Sequence, residues 1–496
     1  MPKVPSPYSG QPAQQPRIIQ VPPLDVSPPR SMRRAGRGTA LLIAAFLLAL
    51  VYLVYVLVTR SAFYMAKSGQ TGYGRVTDRN GDVLFDGTKP MSDYEAGHFA
   101  DVGNLIGDTS GQMSNTVVSK NIELLANYSF LYGKNSGTVT LQTTISHKAT
   151  RACYNALGSK NGTVAAYNWK TGEMLVCMSK PCVDPALGYD NIENMPSGSL
   201  LCKAFAPTVP GSTQKVSTLI AAYEHSGVDA VNALEFTCEG SWVNASGGKI
   251  NCHNPYGHGT QKLNEAFANS CNPYFAQLVQ SRMLPLSAVI ETYTNMGYSV
   301  NGQKAEPLLM NGLTIPAASA TLTDDTQFET QWGCLGQGKT LVSPFQLMLW
   351  QGAIADGSGS AVQPYILASH TDIENRVTQL GTTARTKPFF TQAAAQGVKA
   401  VETDNAAKHY YVSLGEYTCG VKSGTAQIRQ EGKEYENSLL TGFCLDDDCP
   451  VAFCVMIEER TGNDISNAQL AKVLLDALRS EGIAKKAVPA STAAGS

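Results

Sequence analysis

The sequence predicts an α/β protein of the α+β type. An antiparallel sheet flanked by helices is carried behind a membrane-proximal module and one transmembrane helix. Three observations predict this. Ala40–Val58 is an uncharged apolar run long enough to cross a bilayer. Strand-turn-strand patterns stand at both ends of a long later segment: "GTVAAYNWKTGEMLVCMS" (Gly162–Ser179) at one end, and "YTCGVKSGTAQI", "SLLTGFCL" and "VAFCVMIEE" at the other. Helical patterns lie between, so the two ends of the segment close one sheet.

At 496 residues the chain exceeds one ordinary domain, and 43% apolar residues suffice for a sizeable core. A formal net charge of -2 excludes a nucleic-acid protein that works through a basic face.

Taken in order, residues 1–38 begin with a Pro-rich tail, nine prolines lying within Met1–Pro29, which suits a disordered cytoplasmic segment. Residues 39–59 are the transmembrane helix. A cleaved signal peptide would need a shorter apolar core and a small-residue cleavage site, and "TRSAFYMAKSG" offers neither clearly. Arg30, Arg33, Arg34 and Arg37 flank the span on its N-terminal side, so the N-terminus faces the cytoplasm and the bulk of the chain lies outside. Residues 60–150 read as a pedestal or dimerisation-like module. In it "GRVTDRNGDVLFDG" predicts a hairpin at Asn80-Gly81, and "NTVVSKNIELLANYSFL" a helix. Residues 151–485 form the main domain, ending in the amphipathic helix "NAQLAKVLLDALRSEGI"; 486–496 is a flexible tail.

All twelve cysteines follow the span. Outside the cell disulfides can form, and Cys238-Cys252, flanking a Gly-Gly ribbon, and Cys444-Cys449, flanking "LDDD", are candidates. No C-x-x-C occurs and no His/Cys cluster shows zinc spacing, so neither a metal nor another cofactor is expected.

The chemistry centres on "VPGSTQKVSTLIAAYEH". A serine hydroxyl needs a base to become a nucleophile, and a lysine of lowered pKa can serve. Ser212 and Lys215, three apart at a helix start, share one face, and the helix N-terminus favours a developing anion. A second S-x-x-K, Ser246–Lys249, has two central glycines and fits a turn. Of four S-x-N triplets, Ser270-Cys271-Asn272 lies in a helical run after Ser212, "LNEAFANSCNPYFAQLV", broken locally at Pro273. There Ser270 could relay a proton and Asn272 hold a substrate amide. "KSGTAQ" lies in a strand: Ser423 and Thr425 face one way and can bind a carboxylate, Gly424 admits a substrate backbone, and Lys422 adds positive charge on the other side. "KTG" at Lys170–Gly172 reads as a hairpin turn and "KSG" at Lys67–Gly69 as a linker.

Ser-x-x-Lys, Ser-x-Asn and Lys-Ser-Gly-Thr in that order resemble the signature of penicillin-recognising serine acyltransferases. "RVTDRNGDVL", "NWKTGEMLVCMS", "CHNPYGHGTQKLNEAFANSCNPYFAQL" and "GQGKTLVSPFQLM" extend the likeness to class B (monofunctional) penicillin-binding proteins, of the penicillin-binding protein A-like type, over roughly Arg75 to Ala477. The resemblance implies the serine β-lactamase/D,D-peptidase-like transpeptidase fold in a bacterial cell membrane. It implies a peptidoglycan D,D-transpeptidase whose partners are stem peptides ending in D-Ala-D-Ala, β-lactams, the membrane and a polytopic glycosyltransferase. By that likeness Ser212 is the nucleophile and Lys215 the base. Ser270 and Lys422 pass the proton to the departing D-alanine, and Asn272 holds the acyl chain. Backbone N–H groups of Ser212 and Thr425 form the oxyanion hole, while Ser423, Gly424 and Thr425 bind the substrate or β-lactam. "SLLTGF" (Ser438–Phe443) departs from the family's Ala-Trp-Phe-type strand. A D,D-carboxypeptidase and a non-catalytic penicillin-binding sensor or scaffold are the alternatives. A secreted β-lactamase would need a Glu-x-x-Leu-Asn loop after Ser270, which is absent.

Overall fold

The computed structural model describes residues 30–483 except 70, 132, 134–136, 325–326 and 431–432. The expected Pro-rich stretch over 1–29 and the tail over 486–496 lie outside the described residues. The chain divides into two compact units, Met1–Thr59 and Arg60–Ser496.

The described part of the first unit is helical. Helix α1 spans Arg30–Lys67. Its Arg34–Lys67 portion is, among the described residues, the one helix long and apolar enough to cross a membrane. Leu41, Leu42, Phe46, Leu48, Val51 and Tyr52 are all exposed, as side chains meant for an apolar solvent would be. No proline interrupts α1, so it runs past the apolar stretch at both ends.

The first strands of the second unit are β1 (Arg75–Thr77) and β2 (Val83–Asp86), the hairpin expected at Asn80-Gly81. β3 (Thr140–Thr143) and helix α2 (His147–Ala156) follow. Strands β4 (Gly162–Asn168) and β5 (Met174–Lys180) are joined by a turn holding Lys170–Gly172, as expected. Helix α3 is Lys215–Ser226, α4 Leu263–Ala268, α5 Asn272–Gln280 and α6 Pro344–Asp356. Strands β6 (Leu367–Thr371) and β7 (Val377–Gln379) precede α7 (Gln392–His409). Strands β8 (Cys419–Gln430), β9 (Lys433–Cys444) and β10 (Val451–Ile457) and helix α8 (Asn467–Glu481) complete the unit.

The main sheet is antiparallel throughout, in the order β8-β9-β10-β4-β5. Strands from both ends of the segment therefore meet in one sheet, as the sequence predicts. Helices α2 and α8 pack on one face and α6 on the other; α7 packs against β8. That double cover explains why β10 is apolar at every position: all seven residues of Val-Ala-Phe-Cys-Val-Met-Ile are buried. Helix α8 turns Leu470, Leu474, Leu475 and Leu478 to the sheet. Ser466 caps it, accepting from the Gln469 amide, while the Gln469 side chain accepts from the Ser466 amide.

A second sheet, in the order β7-β6-β3-β1-β2, takes two strands from residues 367–379. Residues 60–150 thus share their sheet with a hairpin from far along the chain.

Three expectations are corrected. The helix expected over "NTVVSKNIELLANYSFL" is a single turn, Val117–Lys120. The Asn121 side-chain amide donates to the Val117 carbonyl at 3.0 Å and ends it. The run expected as one helix around Ser270 is two, α4 and α5. The break falls at 269–271, before Pro273, because proline is favoured in a helix's first turn. Neither expected disulfide is formed, all twelve cysteines being free. Cys444 lies directly across the ladder from Cys419, so Cys449 has a competitor for it. Cys238 and Cys252 do meet, but in a cluster with Cys271 and His258.

Candidate active site

Pro210 and Gly211 turn the chain into a short 3₁₀ segment, Gly211–Gln214, which feeds directly into α3. The Thr213 hydroxyl donates to the Pro210 carbonyl at 2.7 Å and tightens the turn. In a 3₁₀ turn residues i and i+3 eclipse. Ser212 and Lys215 therefore stand together, with Lys215 Nζ 3.0 Å from Ser212 Oγ.

Lys215 is completely buried. Its amine donates to the Ser270 carbonyl at 2.6 Å and to Asn272 Oδ1 at 2.7 Å, and lies 3.3 Å from Ser270 Oγ. The two oxygens at 2.6 and 2.7 Å can only accept. A neutral amine has two N–H bonds for them and one lone pair left for the Ser212 hydroxyl. The Asn272 amide nitrogen donates to the Asn251 carbonyl at 3.1 Å, which fixes Oδ1 toward Lys215. Burial is the first cause holding the Lys215 pKa well below its ordinary value; the charge on Lys422 adds to it, while Cys271 and Cys252 oppose it.

Ser270 bridges the two lysines. Lys422 Nζ donates to Ser270 Oγ at 3.0 Å and to the Ser423 carbonyl at 2.9 Å. Ser270 itself has φ +48°, a left-handed conformation rare for serine. Such backbone costs about 1–3 kcal/mol and persists only where the surroundings impose it.

Glycines set the spacing of the nucleophile and β8. A Cβ on Gly424 would lie 2.8 Å from the Pro210 carbonyl oxygen, and one on Gly211 2.6 Å from the Thr425 carbonyl oxygen. The chain's own backbone at Pro210 and Thr213 fills the space that a side chain at Gly424 would take. This contact brings Ser212 and Thr425 to one cleft of about 780 Å³, which Ser270, Asn272, Ser423 and Gly424 also line. Lys249 of the dismissed S-x-x-K lines it too, but Ser246 sits in a hairpin turn, bonded to Asn244 Oδ1 at 3.0 Å.

Several residues of the site carry no motif. Phe328 and Trp332 stack at 5.4 Å and form an aromatic wall of the cleft. Gln337 donates to the Thr425 carbonyl at 3.0 Å. Glu402, on α7, is completely buried and accepts from Gln351 at 2.9 Å. Burial pushes its carboxyl up to about 8, while the hydrogen bond from Gln351 and the charge of Lys422 pull it down. Burial lowers Lys422 to about 7, and Glu402 pushes it back up. Lys422 thus has a carboxyl that favours its charged form, whereas Lys215 has Lys422 beside it, which disfavours charge there.

Glu402→Gln removes the group that raises Lys422. If Lys422 must keep its proton for acylation by a penicillin, the alkaline limb of that acylation against pH is expected to move to lower pH. Glu402→Asp should restore it in part. A limb unmoved in Glu402→Gln would show that Glu402 serves packing alone.

One further group adjoins the cleft. Single ligand atoms of Cys238, Cys252, His258 and Cys271 lie within 4.8 Å of one another. The four residues are spread through the sequence without the spacing of a metal motif, and the fold gathers them.

Comparison with known proteins agrees with this architecture. Residues 162–476 match the family model described as the penicillin binding protein transpeptidase domain. Stage V sporulation protein D of Bacillus subtilis is 28% identical over 320 residues, 61% of this chain and 46% of that protein. Peptidoglycan D,D-transpeptidase PbpA of Mycolicibacterium smegmatis is 26% identical over 262 residues, 48% of this chain and 50% of that protein. The matches span about half the length of these curated relatives. Among solved structures, the D,D-transpeptidase domain of a peptidoglycan glycosyltransferase from Eggerthella lenta aligns with TM-score 0.68 and 18% identity, over 83% of this chain and 99% of that one. Penicillin-binding protein A from M. tuberculosis, in its penicillin G acyl-enzyme complex, aligns with TM-score 0.68 and 19% identity, over 84% and 100%. With its family match covering more than half its length, and with the fold of these structures, the chain belongs to the penicillin-binding protein transpeptidase domain family.

Proposed function

We propose that the chain is a serine-type peptidoglycan D,D-transpeptidase, which cross-links stem peptides and is acylated by penicillins. The observation that carries this reading is a buried lysine amine 3.0 Å from a serine hydroxyl at the mouth of a cleft. Lys215 takes the Ser212 proton as Oγ attacks the carbonyl between the two terminal D-alanines. Backbone N–H groups of Ser212 and Thr425 hold the oxyanion, an interaction worth ~3–4 kcal/mol per donor in comparable sites. The proton passes through Ser270 and Lys422 to the departing D-alanine amine, leaving an ester on Ser212. An amine of a second stem peptide then attacks the ester, forming the cross-link and freeing Ser212. Ser423 and Thr425 hold the terminal carboxylate of the donor or of a β-lactam. Asn272 keeps one N–H and one lone pair beyond its bonds to Asn251 and Lys215, enough to hold the acyl chain's amide.

Helix α1 fits a membrane anchor. The arginines on its N-terminal side support a cytoplasmic N-terminus and a catalytic unit outside a bacterial cell membrane. A membrane-embedded glycosyltransferase is the partner that would supply nascent glycan strands there, by analogy alone.

The test is product analysis with a stem pentapeptide ending in D-Ala-D-Ala and an acceptor stem amine. A cross-linked dimer with release of one D-alanine is the expected product. Release of D-alanine without a dimer would assign a carboxypeptidase, and neither product from a folded, penicillin-labelled protein a sensor or scaffold.

A further inference from the structure

We propose that Cys238, Cys252, His258 and Cys271 bind one zinc ion, which fastens the ribbon beside the cleft to the Ser270-Cys271-Asn272 turn. The three cysteines are buried and His258 half-buried, and one ligand atom from each lies within 4.8 Å of the others. With Zn–S near 2.3 Å and Zn–N near 2.0–2.1 Å, the edges of a tetrahedral site are about 3.5–3.8 Å. Cys252 Sγ and His258 Nδ1 stand 3.5 Å apart, already at that spacing. Three thiolates and an imidazole form a soft, closed donor set that suits zinc, and calcium or magnesium would require oxygen ligands.

The backbone supports each ligand from a different direction. Cys238 ends the strand Glu235–Cys238, which pairs with Gly259–Lys262. The His258 amide donates to the Cys238 carbonyl at 3.0 Å, and the Cys252 amide to the Gly240 carbonyl at 2.9 Å. Gly257, at φ +78°, lets these loops touch, since a Cβ there would lie 2.2 Å from the Cys238 carbonyl oxygen. Cys271 arrives from the break between α4 and α5. A disulfide between any two of the thiols would strand the third beside an imidazole, whereas a tetrahedral ion uses all four groups.

Binding is a ligand exchange without electron transfer. Starting from three thiols, three S–H bonds are lost, three Zn–S bonds and one Zn–N bond form, and three protons leave to solvent. The ion would act on the cleft by position. Cys271 lies between Ser270, in its left-handed conformation, and Asn272. Cys252 follows Asn251, whose carbonyl holds the Asn272 amide. Both supports of Asn272 are thus tied to one ion. The site stands independently of the acyl-transfer reading: zinc content is measured without any reaction.

The test is the zinc content of the detergent-solubilised full chain, purified without added metal or chelator. One equivalent per chain is expected, released by a thiol-blocking mercurial. Its X-ray absorption edge should show three sulfurs at about 2.3 Å and one nitrogen at about 2.0–2.1 Å. Cys252→Ser and His258→Ala should lower zinc content by about tenfold or more, while Cys153→Ser, on the far face of the main sheet, should keep it. Should both variants fail to fold, the wild-type absorption spectrum and cobalt substitution decide, cobalt giving the visible bands of a tetrahedral thiolate site. Zinc-free folded wild type that takes up neither metal, a disulfide among these cysteines in the purified protein, or zinc retained by the folded ligand variants would overturn the proposal.

Discussion

Lys215→Met is expected to slow acylation by a penicillin by about 10²–10⁴-fold, the range over which a positioned general base contributes. The side chain is fully buried and its amine lies 3.0 Å from the nucleophile. Among the described residues no other amine is hydrogen-bonded to Ser212 Oγ; Lys422 bonds the Ser270 hydroxyl and the Ser423 carbonyl instead. Methionine is unbranched and fills a similar volume, so the surrounding core should stay packed. Two stability effects oppose one another. The variant leaves the Ser270 carbonyl and Asn272 Oδ1 short of a donor, at about 1–3 kcal/mol for each buried group left unsatisfied. It also removes a buried amine whose charged form the fold disfavours. Unfolding temperature should therefore change far less than the acylation rate. A variant acylated within threefold of wild type would contradict the role of Lys215, while parallel loss of rate and fold would leave Lys215 a structural residue.

Gly424→Ala is expected to cost about 10²–10³-fold in acylation, the effect of losing one oxyanion-hole donor. The added methyl has no room: the Pro210 carbonyl oxygen lies at 2.8 Å and the Thr213 amide nitrogen at 3.0 Å. Those atoms are backbone, so relief requires β8 and the Ser212 turn to part. Parting them separates the Ser212 and Thr425 N–H groups, which the proposed oxyanion hole needs together. The main sheet need not yield, because β9 pairs with β10, and β10 with β4, away from this contact. The expected signature is slow acylation in a protein of nearly wild-type melting temperature. Acylation at the wild-type rate would show that the turn absorbs the methyl and that its spacing from β8 is not critical.

The parts of this site legible in the sequence are those whose geometry is local. Ser212 and Lys215 are brought together by three residues of 3₁₀ turn. Lys422, Ser423 and Thr425 follow from a strand that the sheet order bears out. The ordered motifs also place Ser270 and Asn272 in the right neighbourhood, but the sequence reads one helix where Ser270 occupies a left-handed break. The crowding of Gly424 against Pro210 and Thr213 is not legible, because no strand pattern displays those contacts. Glu402 lies in an ordinary helical pattern, and only the packing of α7 against β8 brings it near Lys422. The cysteines of the proposed zinc site fail every short-spacing rule, because a hairpin, a loop and a helix break each contribute separately. The early "NTVVSK" segment is too short to hold a helix beyond the turn that Asn121 closes.

The most direct test of acyl transfer at Ser212 is the intact mass of the detergent-solubilised chain after exposure to penicillin G, with peptide mapping, beside Ser212→Ala. Opening the β-lactam ring expels no leaving group, so the predicted adduct adds the whole penicillin mass, once, on the peptide containing Ser212. It should be absent from Ser212→Ala. No adduct on folded wild type, or an adduct that persists in Ser212→Ala, would contradict the assignment of Ser212 as the nucleophile.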